Sequence, residues 1–211
     1  VGAHLQIDRG VTTTIKLRVI GRAQQLLRVD FETQPGKEAL ASKLKEFARL
    51  LRNSDVVILS DYGKGGLEHV ARMIQMAKRA GKPVLVDPKG DDYSRYRGAS
   101  LVTPNRSEFR QVAGKWRTES ELSEKAQMLR QKLGIGALLV TRSEEGMTLY
   151  QRGRRFHVGA EAREVYDVSG AGDTVIATIG VMMASGMAIE DAVSIATVSY
   201  THLRAHETRE D

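Results

Sequence analysis

The sequence predicts an α/β fold: a doubly wound, mainly parallel sheet that carries a small antiparallel β-ribbon. Three observations predict it. Short apolar runs such as VVILS (56–60), VLVD (84–87) and ALLVT (137–141) are bounded by polar residues, which suits strands buried on both faces of a sheet. Segments with helical apolar spacing separate these runs, and strand–helix alternation of this kind builds a layered α/β structure. The glycine-rich turn Gly170-Ala171-Gly172 opens an apolar helix, an arrangement that aims backbone N–H groups at an anion.

Taken in order, TTTIKLRVIG (12–21) alternates Ile15, Leu17 and Val19 with Thr14, Lys16 and Arg18, the period of a half-exposed strand. QLLRVDFE (25–32) follows a short turn, and the two read as an antiparallel ribbon. Between 37 and 53, Leu40, Leu44, Phe47 and Leu50 recur at helical spacing. Strand 56–60 precedes a helix over 67–80, which stops at Gly81-Lys82-Pro83. Strand 84–87 comes next. A short strand, SLVT (100–103), ends at Pro104, and a helix over 106–113 begins behind Asn105. A helix over 119–133 leads to strand 137–141 and then to two extended pieces, 147–150 and 154–158. The glycine-rich turn feeds a last helix over 174–184. Sheets of this class bind ligands at the carboxyl ends of their strands. There the chain places Asp61 and Lys64, Asp87 and Lys89, Asn105, and Thr141.

Apolar content of 41% and charged content of 27% suit one soluble domain with a single core. No run approaches the ~18 apolar residues of a membrane span, and no charged leader precedes an apolar stretch. The absence of cysteine excludes disulfides, thiolate metal sites and cysteine nucleophiles, so a cytoplasmic setting is expected. A net charge of +6 agrees with either nucleic acid or phosphate substrates. Basic residues are scattered and aromatics make up only 5% of the chain, which leaves few stacking platforms for single strands. Neither a nucleic acid nor a membrane is an expected partner.

Both ends are unusual. The first pattern begins in mid-strand behind Val1, so the chain is expected to be an internal piece, truncated at both ends. The last fourteen residues, 198–211, fit the rest poorly. His202 and His206 stand as in a zinc-finger helix, yet no cysteines precede them. This stretch resembles a translated sequencing-library adapter and is set apart from the domain over 1–197, a native polar helix end being the alternative. A sheet that loses its first strands exposes an inner strand as an edge. The piece alone is therefore expected to be inactive and marginally stable.

The strongest local pattern is Asp167-Val168-Ser169-Gly170-Ala171-Gly172-Asp173-Thr174. A dinucleotide fingerprint needs a third glycine where Val175 stands, and a Walker loop needs a G-K-[ST] string that does not occur. The third reading is an anion hole edged by a carboxylate. Gly170, Ala171 and Gly172 would hold the anion, and Asp173 would accept the proton of an attacking hydroxyl. A helix-start Asp is as often only a cap.

The same string resembles the second signature of the PfkB, or ribokinase-like, carbohydrate kinases, with Val168 in place of the usual hydroxyl residue. TPNRSEF (103–109) is similar to the family's N-x-x-E element, and LLVTRSEEGMTLY (138–150) to its nucleotide-side strand, turn and strand. Longer strings at 11–32, 59–67 and 86–109 resemble the heptose 7-phosphate kinases within the family. The likeness covers 2–197. It implies a ribokinase-like fold and ATP- and Mg2+-dependent phosphorylation of a phosphorylated sugar, D-glycero-β-D-manno-heptose 7-phosphate, at its anomeric hydroxyl. That reaction lies on the path to ADP-heptose and lipopolysaccharide core. Another PfkB sugar or nucleoside kinase, or a non-catalytic nucleotide- or sugar-binding relative, is the alternative.

Residue by residue, the resemblance makes Asp173 the base and Gly170, Ala171 and Gly172 the anion hole. Asn105, Arg106, Ser107 and Glu108 match the nucleotide element, with Asn105 and Glu108 ordering magnesium through water. Thr141 and Gly146 would lie along ATP. Lys89 would touch phosphate or be a surface lysine. Asp61 and Lys64 would face sugar or only shape a tight turn. Arg18, with Arg22 or Arg28, would meet the 7-phosphate or be part of a solvated basic face. Asp167 matches a position that helps hold a monovalent cation, K+, in some relatives. The ribbon over 11–32 resembles a lid that often forms a homodimer contact, and the parent would be fused to an adenylyltransferase domain.

Overall fold

The computed structural model describes residues 2–22, 24–160 and 170–206. Strands β1 (Ile15–Gly21) and β2 (Gln24–Phe31) pair only with each other, in an antiparallel ribbon. Its register sets Ile15 against Phe31, Leu17 against Val29 and Val19 against Leu27 on one face. The opposite face sets Lys16 against Asp30 and Arg18 against Arg28. Strict alternation thus separates an apolar from a charged side.

Helix α1 (Lys37–Leu50) leads into the main sheet. Its parallel half comprises β3 (Val57–Ser60), β4 (Val84–Asp87), β5 (Leu101–Val102) and β6 (Ala137–Thr141). Strands β7 (Met147–Gln151) and β8 (Arg154–Val158) continue it antiparallel, in the order β3-β4-β5-β6-β7-β8. Helices α2 (Val70–Arg79), α3 (Arg106–Ala113) and α4 (Glu119–Leu133) make the crossovers. Helices α5 (Ala171–Ala184) and α6 (Ile189–His206) end the described chain; α6 runs past Val198, where the polar tail begins.

Pleating sends successive side chains of each strand to opposite faces. Val84 and Val86 join the core that α1 to α4 cover, while Leu85 joins the one under α5 and α6. The fold is therefore three-layered, with both faces of the central strands covered. Fully burying one leucine or valine contributes roughly 1.5–3 kcal/mol, which explains why the central strands need no polar alternation.

Most predicted elements appear where sequence spacing puts them, and the differences have local causes. The predicted 67–80 helix starts at Val70, because 66–69 form turns closed by Glu68 N–H to Gly65 O and Val70 N–H to Leu67 O. Strand β5 covers only two residues, although the amides of Ser100 and Thr103 also bond across to Val84 and Val86. Helix α5 starts at Ala171, three residues before Thr174, because Gly170 serves as the residue ahead of the helix. Among the described residues no helix is long and apolar enough to cross a membrane.

Candidate active site

The carboxyl ends of the parallel strands and the first turn of α5 line a cleft of about 680 Å³. Small residues admit the helix start to it. Gly170 has φ 72°, in the left-handed region that only glycine enters without strain. Among the described residues no side chain caps this helix, so its first amides lack the partners that an N-cap supplies. Among those residues nothing lies within 4 Å of where a Cβ on Gly170 or Gly172 would stand. The amides and the helix dipole thus face room for an anion. The buried side of the same helix, Val175, Ile176 and Ile179, fixes it on the sheet.

Asp173 stands exposed on that first turn, and the Tyr62 hydroxyl donates to its Oδ1 at 3.4 Å. Asp87 closes β4 nearby and accepts from Ser60 Oγ at 3.3 Å. Burial, and after it the charges of Glu108 and Asp173, pushes the Asp87 carboxyl up to about 6. Lys89 offsets part of that negative field, and its Nζ lies 2.9 Å from Glu108 Oε1.

The start of α3 forms the opposite wall. Asn105 Oδ1 accepts from the Glu108 amide at 2.9 Å, and Glu108 Oε2 accepts from the Asn105 amide at 3.1 Å. This capping box satisfies two of the orphan amides at the helix start. Asn105 also bridges to Thr141 at the end of β6. Arg106 pairs with Glu145, which pairs in turn with the buried Arg142. These pairs link the turn after β6 to the start of α3. In that turn Gly146, at φ 82°, passes so close to the end of β8 that a Cβ would stand 2.1 Å from Val158 O.

The cleft thus gathers Lys89, Asn105, Arg106, Ser107, Glu108, Thr141, Gly146, Gly170, Ala171, Gly172 and Asp173. Asp61 and Lys64 line a neighbouring cavity of about 740 Å³ with Lys16 of the ribbon. Asp61 is only 4% exposed. Its carboxylate accepts from Tyr96 Oη at 2.8 Å and from the Gly63 amide at 2.9 Å, with Arg95 at 3.6 Å. Burial, the main cause, pushes the Tyr96 hydroxyl up, so it remains a donor. Lys64 pairs with Glu32 beside the ribbon. Arg18 lies on β1, exposed, opposite Arg28, and Arg28 pairs with Asp30 at 2.6 Å. Asp167 lies outside the described residues.

Among the cleft residues without an assigned role in the reading of the sequence are Tyr62 and Asp87. Each follows or ends an apolar strand, the position at which an open α/β sheet presents its ligands, and that was the available signal.

A doubly wound sheet with a glycine-rich anion site and an acid on the following helix turn defines a class. Residues 3–209 match the family described as pfkB family carbohydrate kinase, and the chain belongs to it. Among individual proteins it is 58% identical over 193 residues to D-beta-D-heptose 7-phosphate kinase of Bordetella bronchiseptica, covering 92% of this chain and 62% of that one. It is 52% identical over 188 residues to Bifunctional protein HldE of Vibrio cholerae, covering 89% of this chain and 40% of that protein. The chain spans less than two thirds of either relative. Its fold is similar to Arabidopsis thaliana ribokinase complexed with ribose and ATP, with a TM-score of 0.71, 20% identity, and coverage of 91% of this chain and 62% of that one.

Proposed function

We propose that the chain is the kinase portion of an ATP-dependent heptose 7-phosphate kinase. It would transfer the γ-phosphoryl group to the anomeric hydroxyl of D-glycero-β-D-manno-heptose 7-phosphate, giving the 1,7-bisphosphate for ADP-heptose and lipopolysaccharide core synthesis. The observation that carries the kinase reading is Asp173 on the first turn of α5, beside the uncapped amides behind Gly170. The sugar follows from the 58% identical relative and its name.

Phosphoryl transfer depends on in-line positioning and charge stabilisation more than on covalent chemistry. Asp173 accepts the proton of the sugar hydroxyl as the O–P bond forms. The α5 amides meet the charge on the phosphoryl oxygens without reorganising. Lys89 and Arg106 add positive charge on the facing wall. Thr141 and Gly146 form the floor along the nucleotide.

The donor set also fits magnesium. Asp87 and Glu108 offer two carboxylates, and among the described residues no three His, Cys, Asp or Glu groups form a ready cage. Magnesium takes one or two carboxylates together with waters and phosphate oxygens. Glu108 and Asn105 would hold it through water, and it would neutralise phosphate charge. A K+ ion near Asp167 belongs to the same reading.

The charged face of the ribbon, with Arg18, would close over the 7-phosphate. The apolar face of Ile15, Leu17 and Val29 would meet a second copy in a homodimer. The domain would be residues 1–197, with 198–211 an adapter-derived tail. The full-length parent would be cytoplasmic and carry an adenylyltransferase domain, as the bifunctional relative's name suggests. A panel of sugars offered to the full-length protein tests the assignment. ADP release should be greatest with heptose 7-phosphate, and preference for ribose or fructose 6-phosphate would overturn it.

A further inference from the structure

One side chain borders both cavities. Tyr62 lines the cleft of Asp87, Glu108 and Asp173 and also the neighbouring cavity of Lys16, Asp61 and Lys64. It is 61% exposed, and its hydroxyl reaches Asp173 at 3.4 Å. The preceding residue makes a tyrosine–aspartate pair of the opposite kind. Tyr96 donates to the buried Asp61 at 2.8 Å, and two more contacts engage that carboxylate. The enclosed pair is short and ties the end of β3 to the turn at 93–96. The Tyr62 pair is long and has no second contact among the described residues to hold it, so a donor fixed more firmly in place can replace it.

We propose that Tyr62 is a positioning residue for the phosphoryl acceptor, occupying Asp173 until a sugar hydroxyl replaces it. This rests on the reading of Asp173 as the proton acceptor. A carboxylate beside bound ATP serves water as readily as it serves a sugar. Water attacking the γ-phosphorus would give its proton to Asp173 and form an O–P bond as the bond to the bridging oxygen breaks, releasing ADP and phosphate. A phenol that donates to one carboxylate oxygen covers a lone pair such a water would use. The sugar hydroxyl, held in place by the rest of its molecule, displaces the phenol and becomes the nucleophile. The same proton transfer and O–P bond formation then yield ADP and the sugar phosphate. Tyr62 is placed for this exchange because it lines both cavities.

Tyr62→Phe keeps the ring and removes the hydroxyl, and the exposed position should leave folding intact. In the full-length protein with ATP and magnesium, ADP release without sugar should rise about tenfold relative to transfer, the scale of one hydrogen bond. The kcat for heptose 7-phosphate should change by less than sugar-free ADP release does, since the proton acceptor itself is untouched. A merely structural role would lower both reactions together and leave their ratio unchanged. An unchanged ratio, with Asp173→Asn inactive, would overturn the role of Tyr62 and leave Asp173 as proton acceptor. Transfer surviving in Asp173→Asn would overturn both.

Discussion

The ribbon and the main sheet obey the same pleat but differ in what covers them. In the sheet, Leu85, Leu101 and Leu139 are fully buried, because α5 and α6 lie over one face and α1 to α4 over the other. In the ribbon, Ile15 and Phe31 face each other across the ladder yet stay 62% and 57% exposed. Both are held by backbone ladders, the ribbon's with a register shift between Val19 and Ile20. Two strands alone are marginal in water, whereas covered strands stabilise themselves. The proposed site is mounted on the covered region, and the ribbon keeps its apolar face uncovered.

The largest expected effect tests the covered region's chemistry. Asp173→Asn should lower kcat by about 10²–10⁴, the usual contribution of a positioned base. Nucleotide Kd from calorimetry should stay near wild type, because in the proposed site backbone amides, and not the Asp173 side chain, would hold the anion.

Truncation of the core comes next. Leu139→Ala should cost about 2–5 kcal/mol, whereas Leu17→Ala on the ribbon should stay within about 0.5 kcal/mol. Denaturant midpoints of the two variants measure the contrast directly, and equal losses would break it.

Gly146→Ala places a Cβ against Val158 O in a left-handed backbone, where strain is on the order of 1–3 kcal/mol. Nucleotide affinity should fall together with stability, since the turn lines the cleft.

The remaining effect is electrostatic. The folded state holds the Asp87 carboxyl up at about 6, above its ordinary 3.8, chiefly by burial. A raised carboxyl favours the protonated form, so its contribution is complete below the unfolded value and is lost as pH rises through the folded one. Asp87→Asn should therefore gain stability over wild type at pH 7, with the difference closing towards pH 4. Parallel denaturation curves across that range check the sign.

Much of this fold was legible because its boundaries carry their own chemistry. Asn105 and Thr118 cap α3 and α4, and Gly134 ends α4 in the left-handed region, so those helices appear at the expected residues. The start of α5 was less legible. Gly-Ala-Gly has no strong helical preference, and only the turn at Gly170 makes those residues helical. The site divides in the same way. Asp173 and the glycines before it form one local string, visible without a structure. The Tyr62–Asp173 contact spans 111 positions, and the charges that raise Asp87 come from Glu108 and Asp173, brought together only by the folded sheet.

The close approach at Gly146 also bears on inhibition. A compound that presses against this stretch of backbone meets a surface that substitution cannot easily reshape, because any side chain there must first displace the Val158 carbonyl. Resistance would have to arise at residues around the contact and not at the contact itself.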